Sequence, residues 1–239
     1  MKTAIITGGT SGIGLAAAKI FLANDCNCVL VGRNRARFDK IRGDLTGNAE
    51  FFSADVRRVD DCEKIIAHTV KIFSGVDFLV NSAGIYREGA ILDTDEKIFN
   101  EIFATNVKGT FFAARAAVGE LIKRRGAIVN VASDAGLRGN YFCAAYSASK
   151  GAVVAFTRSL ALELASFPVR VNCVAPGDIL TPLTLNQLEI SGETLDDLAK
   201  IYPLGRIGTA EEVAQAIFFL ANAKFITGAI LSVDGGLTA

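Results

Sequence analysis

The stretch that most limits what this chain can fold into lies near its start. A short apolar run over residues 4–7 enters Thr7-Gly8-Gly9-Thr10-Ser11-Gly12-Ile13-Gly14 without a break, and a helical pattern follows. Within it, Gly12-Ile13-Gly14-Leu15-Ala16-Ala17 satisfies G-x-G-x-x-A. Glycine is needed where a backbone turns tightly and where a pyrophosphate must approach with no Cβ in the way. The helix behind the loop then offers free N–H groups and a partial positive charge to the anion. Glycine makes up 23 of the 239 residues, above the usual share of about 7%. Four of them, Gly8, Gly9, Gly12 and Gly14, sit in this one loop.

Short apolar runs at 4–7, 28–31, 50–53, 78–80, 127–131, 169–174 and 230–233 read as strands, most of them apolar throughout. Continuous apolar strands suit a parallel sheet covered on both faces. Helical patterns fall between them at 14–23, 35–45, 59–73, 95–123, 144–164 and 210–220, the last opening on a Thr209–Glu212 capping box. The alternation predicts an α/β fold with a doubly wound parallel sheet of about seven strands and helices on both faces. With no repeat, linker or low-complexity tract, residues 1–239 read as one dinucleotide-binding domain that also contains the catalytic site. The irregular stretch 181–202 reads as a substrate lid.

Composition removes several classes of function. Lys and Arg total 25, as do Asp and Glu, so the basic footprint of a nucleic-acid binder is missing. A single histidine, His68, argues against histidine-based metal chemistry, and no metal site is expected. Five cysteines in a chain of this size, with no secretory signal, read as buried small residues rather than a disulfide framework. No run approaches the roughly 18 apolar residues of a membrane span. A cytoplasmic protein is expected.

The end of the second strand chooses the dinucleotide. An acidic side chain there would bond the ribose 2′-hydroxyl of NAD. This chain has Gly32 followed by Arg33, with Arg35 and Arg37 close behind. Gly32 repels nothing, and a guanidinium pairs well with a 2′-phosphate. NADP(H) is therefore expected in preference to NAD(H).

The run 127–131 ends in Ala132-Ser133, and Tyr146-Ser147-Ala148-Ser149-Lys150 follows. Residues four apart on a helix share a face, so Tyr146 and Lys150 belong together. A phenol with an ordinary pKa near 10 is a poor acid or base at neutral pH, and a nearby ammonium favours the phenolate. Ser133 can hold a substrate oxygen beside it.

Thr7-Gly-x-x-x-Gly-x-Gly14, Asn81-Ser-Ala-Gly84, Asn106 in Thr105-Asn106-Val107, Ser133, Tyr146-x-x-x-Lys150 and Pro176-Gly177 occur in one order along the chain. Together they resemble the short-chain dehydrogenase/reductase family in its single-domain Rossmann-fold form, over essentially residues 2 to 237. The resemblance implies that Tyr146 is the general acid/base and that Lys150 lowers its pKa and holds the nicotinamide ribose. Ser133 would orient the carbonyl, and Asn106 would kink its helix and hold a water in a proton relay. For the cofactor it implies Gly8, Ser11, Gly12, Ile13 and Gly14 at the phosphates, Asp55 and Val56 flanking the adenine, and Asn81, Ala83 and Gly84 along the adenosine and ribose. Pro176, Gly177, Ile179 and Thr181 would meet the nicotinamide. Ser82 and Ala132 depart from the family pattern only mildly. The family also implies a homo-oligomer, usually a tetramer.

Candidate substrate walls are Ile85, Tyr86, Asp134, Leu137, Tyr141 and Phe142, with lid side chains Leu183, Leu185, Leu188, Ile190, Leu195 and Leu198. A small or medium ketone or secondary alcohol fits such a mixed wall. The alternative is a 3-oxoacyl-[acyl-carrier-protein] reductase, for which Lys123-Arg124-Arg125 offers a basic patch, although Phe167 stands where a second basic residue is expected. A reading of a different class is a dinucleotide-sensing binding module without chemistry. It would expect erosion at Ser133, Tyr146 or Lys150, and all three are present.

Overall fold

The computed structural model describes residues 1–239. Strands β1 (Lys2–Thr7), β2 (Cys26–Gly32), β3 (Ala49–Ser53), β4 (Phe78–Asn81), β5 (Ala127–Val131) and β6 (Arg170–Pro176) follow one another along the chain. The two-residue strands β7 (Ile179–Leu180) and β8 (Gly208–Thr209) pair with each other, and β9 (Ile230–Val233) ends the series. Seven of these strands form one parallel sheet in the order β3-β2-β1-β4-β5-β6-β9. This is the Rossmann order, and its direction of winding reverses between β1 and β4. Connections diverge at that point, so a crevice opens beyond the strand C-termini.

Helices α1 (Gly12–Ala23), α2 (Arg35–Ile41), α3 (Val59–Phe73), α4 (Glu96–Phe103), α5 (Thr110–Arg124) and α6 (Ala144–Leu164) connect the strands. They are followed by α7 (Pro182–Ser191), α8 (Leu195–Ala199) and α9 (Ala210–Asn222). Alternate strand residues face opposite sides, as a period of two requires. Ile6, Leu30 and Val80 pack with Phe21 of α1 and Ile217 of α9 on one face. Ile5, Val29 and Leu79 pack with Ile65 of α3, Leu121 of α5 and Leu164 of α6 on the other. Both faces are covered, which is why the strands read as continuous apolar runs. All five cysteines are buried. No helix is long and apolar enough to cross a membrane.

Two expected helices are broken. The pattern over 35–45 ends as α2 at Ile41 and tightens into a 3₁₀ turn at Arg42–Asp44, where Gly43 is a weak helix former. The pattern over 95–123 divides into α4, a π-helical segment at Ala104–Gly109, and α5. Asp95 is the N-cap of α4, accepting from the Ile98 N–H at 2.7 Å. The capping box at the start of α9 forms as expected: the Glu212 N–H donates to Thr209 Oγ1 at 3.3 Å and the Thr209 N–H to Glu212 Oε2 at 2.8 Å. Residues 181–202 fold into α7 and α8, which border the crevice.

Candidate active site

A cleft of about 730 Å³ runs along the C-terminal ends of β1, β2, β4, β5 and β6. Its floor at one end is the glycine loop. Gly8 adopts φ +68° with the Ala83 backbone 3.0 Å from where its Cβ would stand, and a Cβ on Gly14 would lie 2.4 Å from the Gly8 carbonyl oxygen. Gly8, Ser11, Gly12 and Ile13 line the cleft; Gly14 does not, and serves instead to let the first turn of α1 close under the loop. Ser11 is the N-cap of α1, yet its side chain makes no capping hydrogen bond. The first N–H groups of α1 therefore keep no side-chain acceptor, the condition an anion-binding helix terminus requires.

Arg33 and Arg37 border the cleft beyond β2, as the sequence predicts. Arg35 does not: it pairs with Asp39 at 3.0 Å and lies over the rings of Phe38 and Phe51. Asp55 and Val56 line the adjoining wall. The Asp55 carboxylate is engaged by Arg57, whose Nε donates at 2.9 Å to each oxygen. Hydrogen bonding from that guanidinium holds the Asp55 carboxyl below its usual range. Arg57 also borders the cleft and was missed in the sequence reading. Its only one-dimensional signal is a basic residue two positions beyond an acidic one.

At the other end stand Ser133, just past β5, and Tyr146 and Lys150 on α6, all three lining the cleft. Ser133 Oγ donates to Asp134 Oδ1 at 2.8 Å and accepts from the Ala135 N–H at 3.2 Å. Lys150 Nζ donates to the Val131 carbonyl at 2.9 Å and lies 5.7 Å from the Tyr146 ring centre. Burial raises the Tyr146 phenol well above its ordinary range, while the Ser133 hydroxyl beside it acts in the opposite direction. Burial also depresses Lys150, to about 8. Desolvation, which disfavours the phenolate, sets the Tyr146 phenol here, in place of the lowering by Lys150 that the sequence leads one to expect.

Asn106 sits in the π-helical segment, 1% exposed, behind the wall of the cleft. Its side chain clamps the β4 exit: Oδ1 accepts from the Ile85 N–H at 2.9 Å, and Nδ2 donates to the Ile85 carbonyl at 3.0 Å and to Ser149 Oγ at 3.1 Å. A Cβ on Gly84 would stand 3.4 Å from Asn106 Oδ1 and 3.5 Å from Lys150 Nζ. The missing side chain leaves a cradle between an amide and an ammonium. The polar groups beside it suit the hydroxyls of a sugar, as Ser11 and the first N–H groups of α1 suit a phosphate at the other end.

Ala83, Gly84, Pro176, Gly177, Ile179 and Thr181 line the cleft where expected. Asn81 does not. It is buried outside the cleft, its Nδ2 donating to Asn130 Oδ1 at 3.0 Å and to the Thr110 carbonyl at 3.4 Å, and Asn130 continues to Thr157. Register explains this: Asn81 is the last residue of β4 and pairs with Asn130 across the β4–β5 ladder. Of the predicted substrate walls, Ile85, Tyr86, Asp134, Tyr141, Leu183 and Leu198 reach the cleft. Leu137, Phe142, Leu185, Ile190 and Leu195 turn toward solvent instead, and Leu188 is buried away from it. Gln187, Ile201 and Tyr202 supply wall that the sequence did not reveal.

A family model described as enoyl-(acyl carrier protein) reductase matches residues 8–238. Over 236 residues the chain is 39% identical to a mouse protein named 3-oxoacyl-[acyl-carrier-protein] reductase, covering 99% of this chain and 98% of that protein. A solved structure titled short-chain dehydrogenase/reductase SDR:glucose/ribitol dehydrogenase, from Brucella melitensis, matches with a TM-score of 0.92 at 37% identity, covering 99% of this chain and 96% of that one. The chain belongs to the short-chain dehydrogenase/reductase family. Another solved member, titled ElxO with NADP bound, matches with a TM-score of 0.93 at 35% identity, covering 99% and 98% of the two chains. This short-chain dehydrogenase/reductase is an oxidoreductase of the class that interconverts carbonyl and alcohol groups. Its Lys123-Arg124-Arg125 patch lies at the end of α5, where the chain turns into the start of β5, whereas Ser133 follows the other end of that strand. Half-exposed Phe167 lies beyond the end of α6, just before β6 begins. The basic patch is thus set at the opposite end of β5 from the cleft within one chain.

Proposed function

We propose that this enzyme reduces a small or medium ketone to a secondary alcohol with NADPH, using Tyr146 as the general acid. The observation that carries the reading is the convergence of Ser133, Tyr146 and Lys150 with the glycine loop on one cleft. The phosphates would lie on Gly8, Ser11, Gly12 and Ile13, with Arg33, Arg37 and Arg57 around a 2′-phosphate. The adenine would lie against Asp55 and Val56. The ribose would occupy the Gly84 cradle beside Ala83 and Lys150, and Pro176, Gly177, Ile179 and Thr181 would face the nicotinamide. When bound, NADPH supplies the hydride for the carbonyl carbon.

Ser133 and Tyr146 hold the carbonyl oxygen, and Tyr146 gives it a proton. Burial keeps the phenol protonated through the neutral range, so Tyr146 carries the proton that reduction requires. Lys150, anchored on Val131, carries the charge that offsets the phenolate left behind, and Asn106, through its position behind Gly84, holds the path by which the proton is replaced. Residues 1–239 act as one domain, with α7 and α8 as a lid that keeps water from the reacting atoms. Exposed Phe99, Phe111 and Leu162 on α4, α5 and α6 support pairing with further copies, and we take the enzyme to be a homotetramer.

A second reading, reduction of a 3-oxoacyl group on acyl carrier protein, is supported by the names of the curated relatives. Within one chain the Lys123-Arg124-Arg125 patch lies at the end of β5 away from the cleft, so a carrier docked there would have to serve the cleft of a neighbouring copy. NADPH and NADH consumption followed against free ketones, 3-oxoacyl thioesters and the carrier-linked substrate decides between them. Higher kcat/KM with NADH, or no ketone-dependent consumption, overturns the main reading; a strong preference for the carrier-linked substrate installs the second.

A further inference from the structure

The ring of Tyr86 meets the ring of Tyr146 edge-on, with centres 4.8 Å apart and planes at 76°. Edge-to-face contact is the favoured geometry for two aromatic rings, because a positive edge meets a negative face. Tyr86 comes from the loop after β4, clamped to the π-helical segment through Ile85 and Asn106. Its hydroxyl has three partners: Glu88 Oε2 at 3.0 Å, Cys143 Sγ at 3.1 Å and Gln187 Nε2 at 3.5 Å. A carboxylate only accepts, so the single phenolic proton goes to Glu88, and the oxygen's lone pairs face the Cys143 thiol and the Gln187 amide. Cys143 is the residue at which α6 begins, three positions before Tyr146, and Gln187 belongs to α7. Gln187 Nε2 also reaches Glu88 Oε2 at 3.4 Å.

We infer that Tyr86 is a positioning residue for Tyr146: its ring fixes and dehydrates the phenol, and its hydroxyl ties that contact to the start of α6 and to α7. The inference rests on the role given to Tyr146 above. A phenol that must meet a carbonyl oxygen at hydrogen-bond distance loses rate steeply when its ring can tilt. The remaining groups around Tyr146 are Ser133 and Asp134 beyond β5, Asp178 beyond β6, and Cys143 and Lys150 on its own helix. Removing the Tyr86 ring alters the charge of none of them, so a change in the acidity of Tyr146 reports lost shielding.

The test compares Y86L and Y86F with the wild-type enzyme, using two ketones of different size. Loss of one edge-to-face contact and its ordering lowers kcat about tenfold in Y86L, by the same factor for both ketones. NADPH affinity stays unchanged. In ultraviolet titration an extra phenol begins to ionise as the pH approaches about 10, and that signal disappears in the Y86L/Y146F double variant. Y86F keeps the ring and so recovers the wild-type titration, while loss of the hydroxyl tie leaves kcat between those of Y86L and the wild type. If Y86L does not fold, Y86M replaces it. A size-dependent change in KM with kcat and titration unmoved makes Tyr86 a mere wall and overturns the inference, as does a Y86F enzyme in which Tyr146 titrates as it does in Y86L. An enzyme that turns over no ketone at all removes the proposed function, while the titration still reads the contact.

Discussion

Lys150 donates its ammonium to the carbonyl of Val131, at 2.9 Å, joining the second turn of α6 to the last residue of β5. One buried cation thus serves as a tie between helix and strand at the point where Ser133 leaves the sheet. Its depression from 10.5 to about 8 has a thermodynamic consequence. Between those values the unfolded chain binds the proton that the folded chain has released, so the lysine contributes a rise in stability as pH increases from about 8. The buried thiols Cys62 and Cys173, raised by burial from 9.0, act with opposite sign above pH 9. The difference between wild type and K150M isolates the lysine. At pH 7 we expect K150M to be more stable by roughly 3 kcal/mol, less the loss of the Val131 bond, and the advantage to shrink as pH rises. Denaturant melts at pH 7, 8 and 9 measure it, and an advantage that grows with pH contradicts the assignment.

Ketone reduction should show an alkaline decline beginning near pH 8, where Lys150 loses its charge. The phenol of Tyr146 stays protonated well beyond that point. Y146F should abolish turnover while leaving NADPH binding intact. A kcat/KM profile flat to pH 10 would show that the lysine charge is not needed.

Arg57 should count toward NADPH and not toward NADH. Replacing it by alanine removes a charged hydrogen-bond donor from the 2′-phosphate, a loss of about 1.5–3 kcal/mol or some 10- to 100-fold in NADPH affinity. R33A should behave alike. R35A, whose guanidinium faces Asp39 and two phenylalanine rings, should leave the NADPH-to-NADH ratio unchanged. Titration of each variant with both cofactors distinguishes the three arginines.

Asn81 should matter to stability and not to cofactor affinity. In N81A the buried oxygen of Asn130 loses its donor, which costs about 1–3 kcal/mol. Melting should register that cost, while the NADPH dissociation constant of the folded protein stays at the wild-type value. A selective loss of affinity would return Asn81 to the cofactor.

What could be read in one dimension was whatever requires a residue type at a set spacing. The loop glycines, Arg33 after β2, and Tyr146 with Lys150 one helical turn on are of this kind, and all but Gly9 and Gly14 stand on the cleft. What could not be read depends on how elements meet. Arg57 reaches the cofactor end because the β3–α3 turn folds it back onto Asp55. Asn81 is drawn inward by its partner on β5. The leucines of α7 and α8 are scattered around their helices, and only packing decides that Leu183 and Leu198 face inward while Leu185 and Ile190 do not. The break in 95–123 is announced only by the resemblance, which puts a kink at Asn106; a π turn has no residue signature comparable to a proline.

The wide turn at Ala104–Gly109 makes helical phase a quantity this enzyme cannot alter freely. A π turn accommodates one residue more than an α-helix would over the same path. Deleting a single residue there lets the segment relax into regular α-helix, and each residue of register is worth about 100° of rotation. Asn106 would then swing away from Ile85 and Ser149, although every other side chain remains chemically intact. The clamp on Ile85 and Ser149 thus depends on the length of this segment as much as on the identity of Asn106.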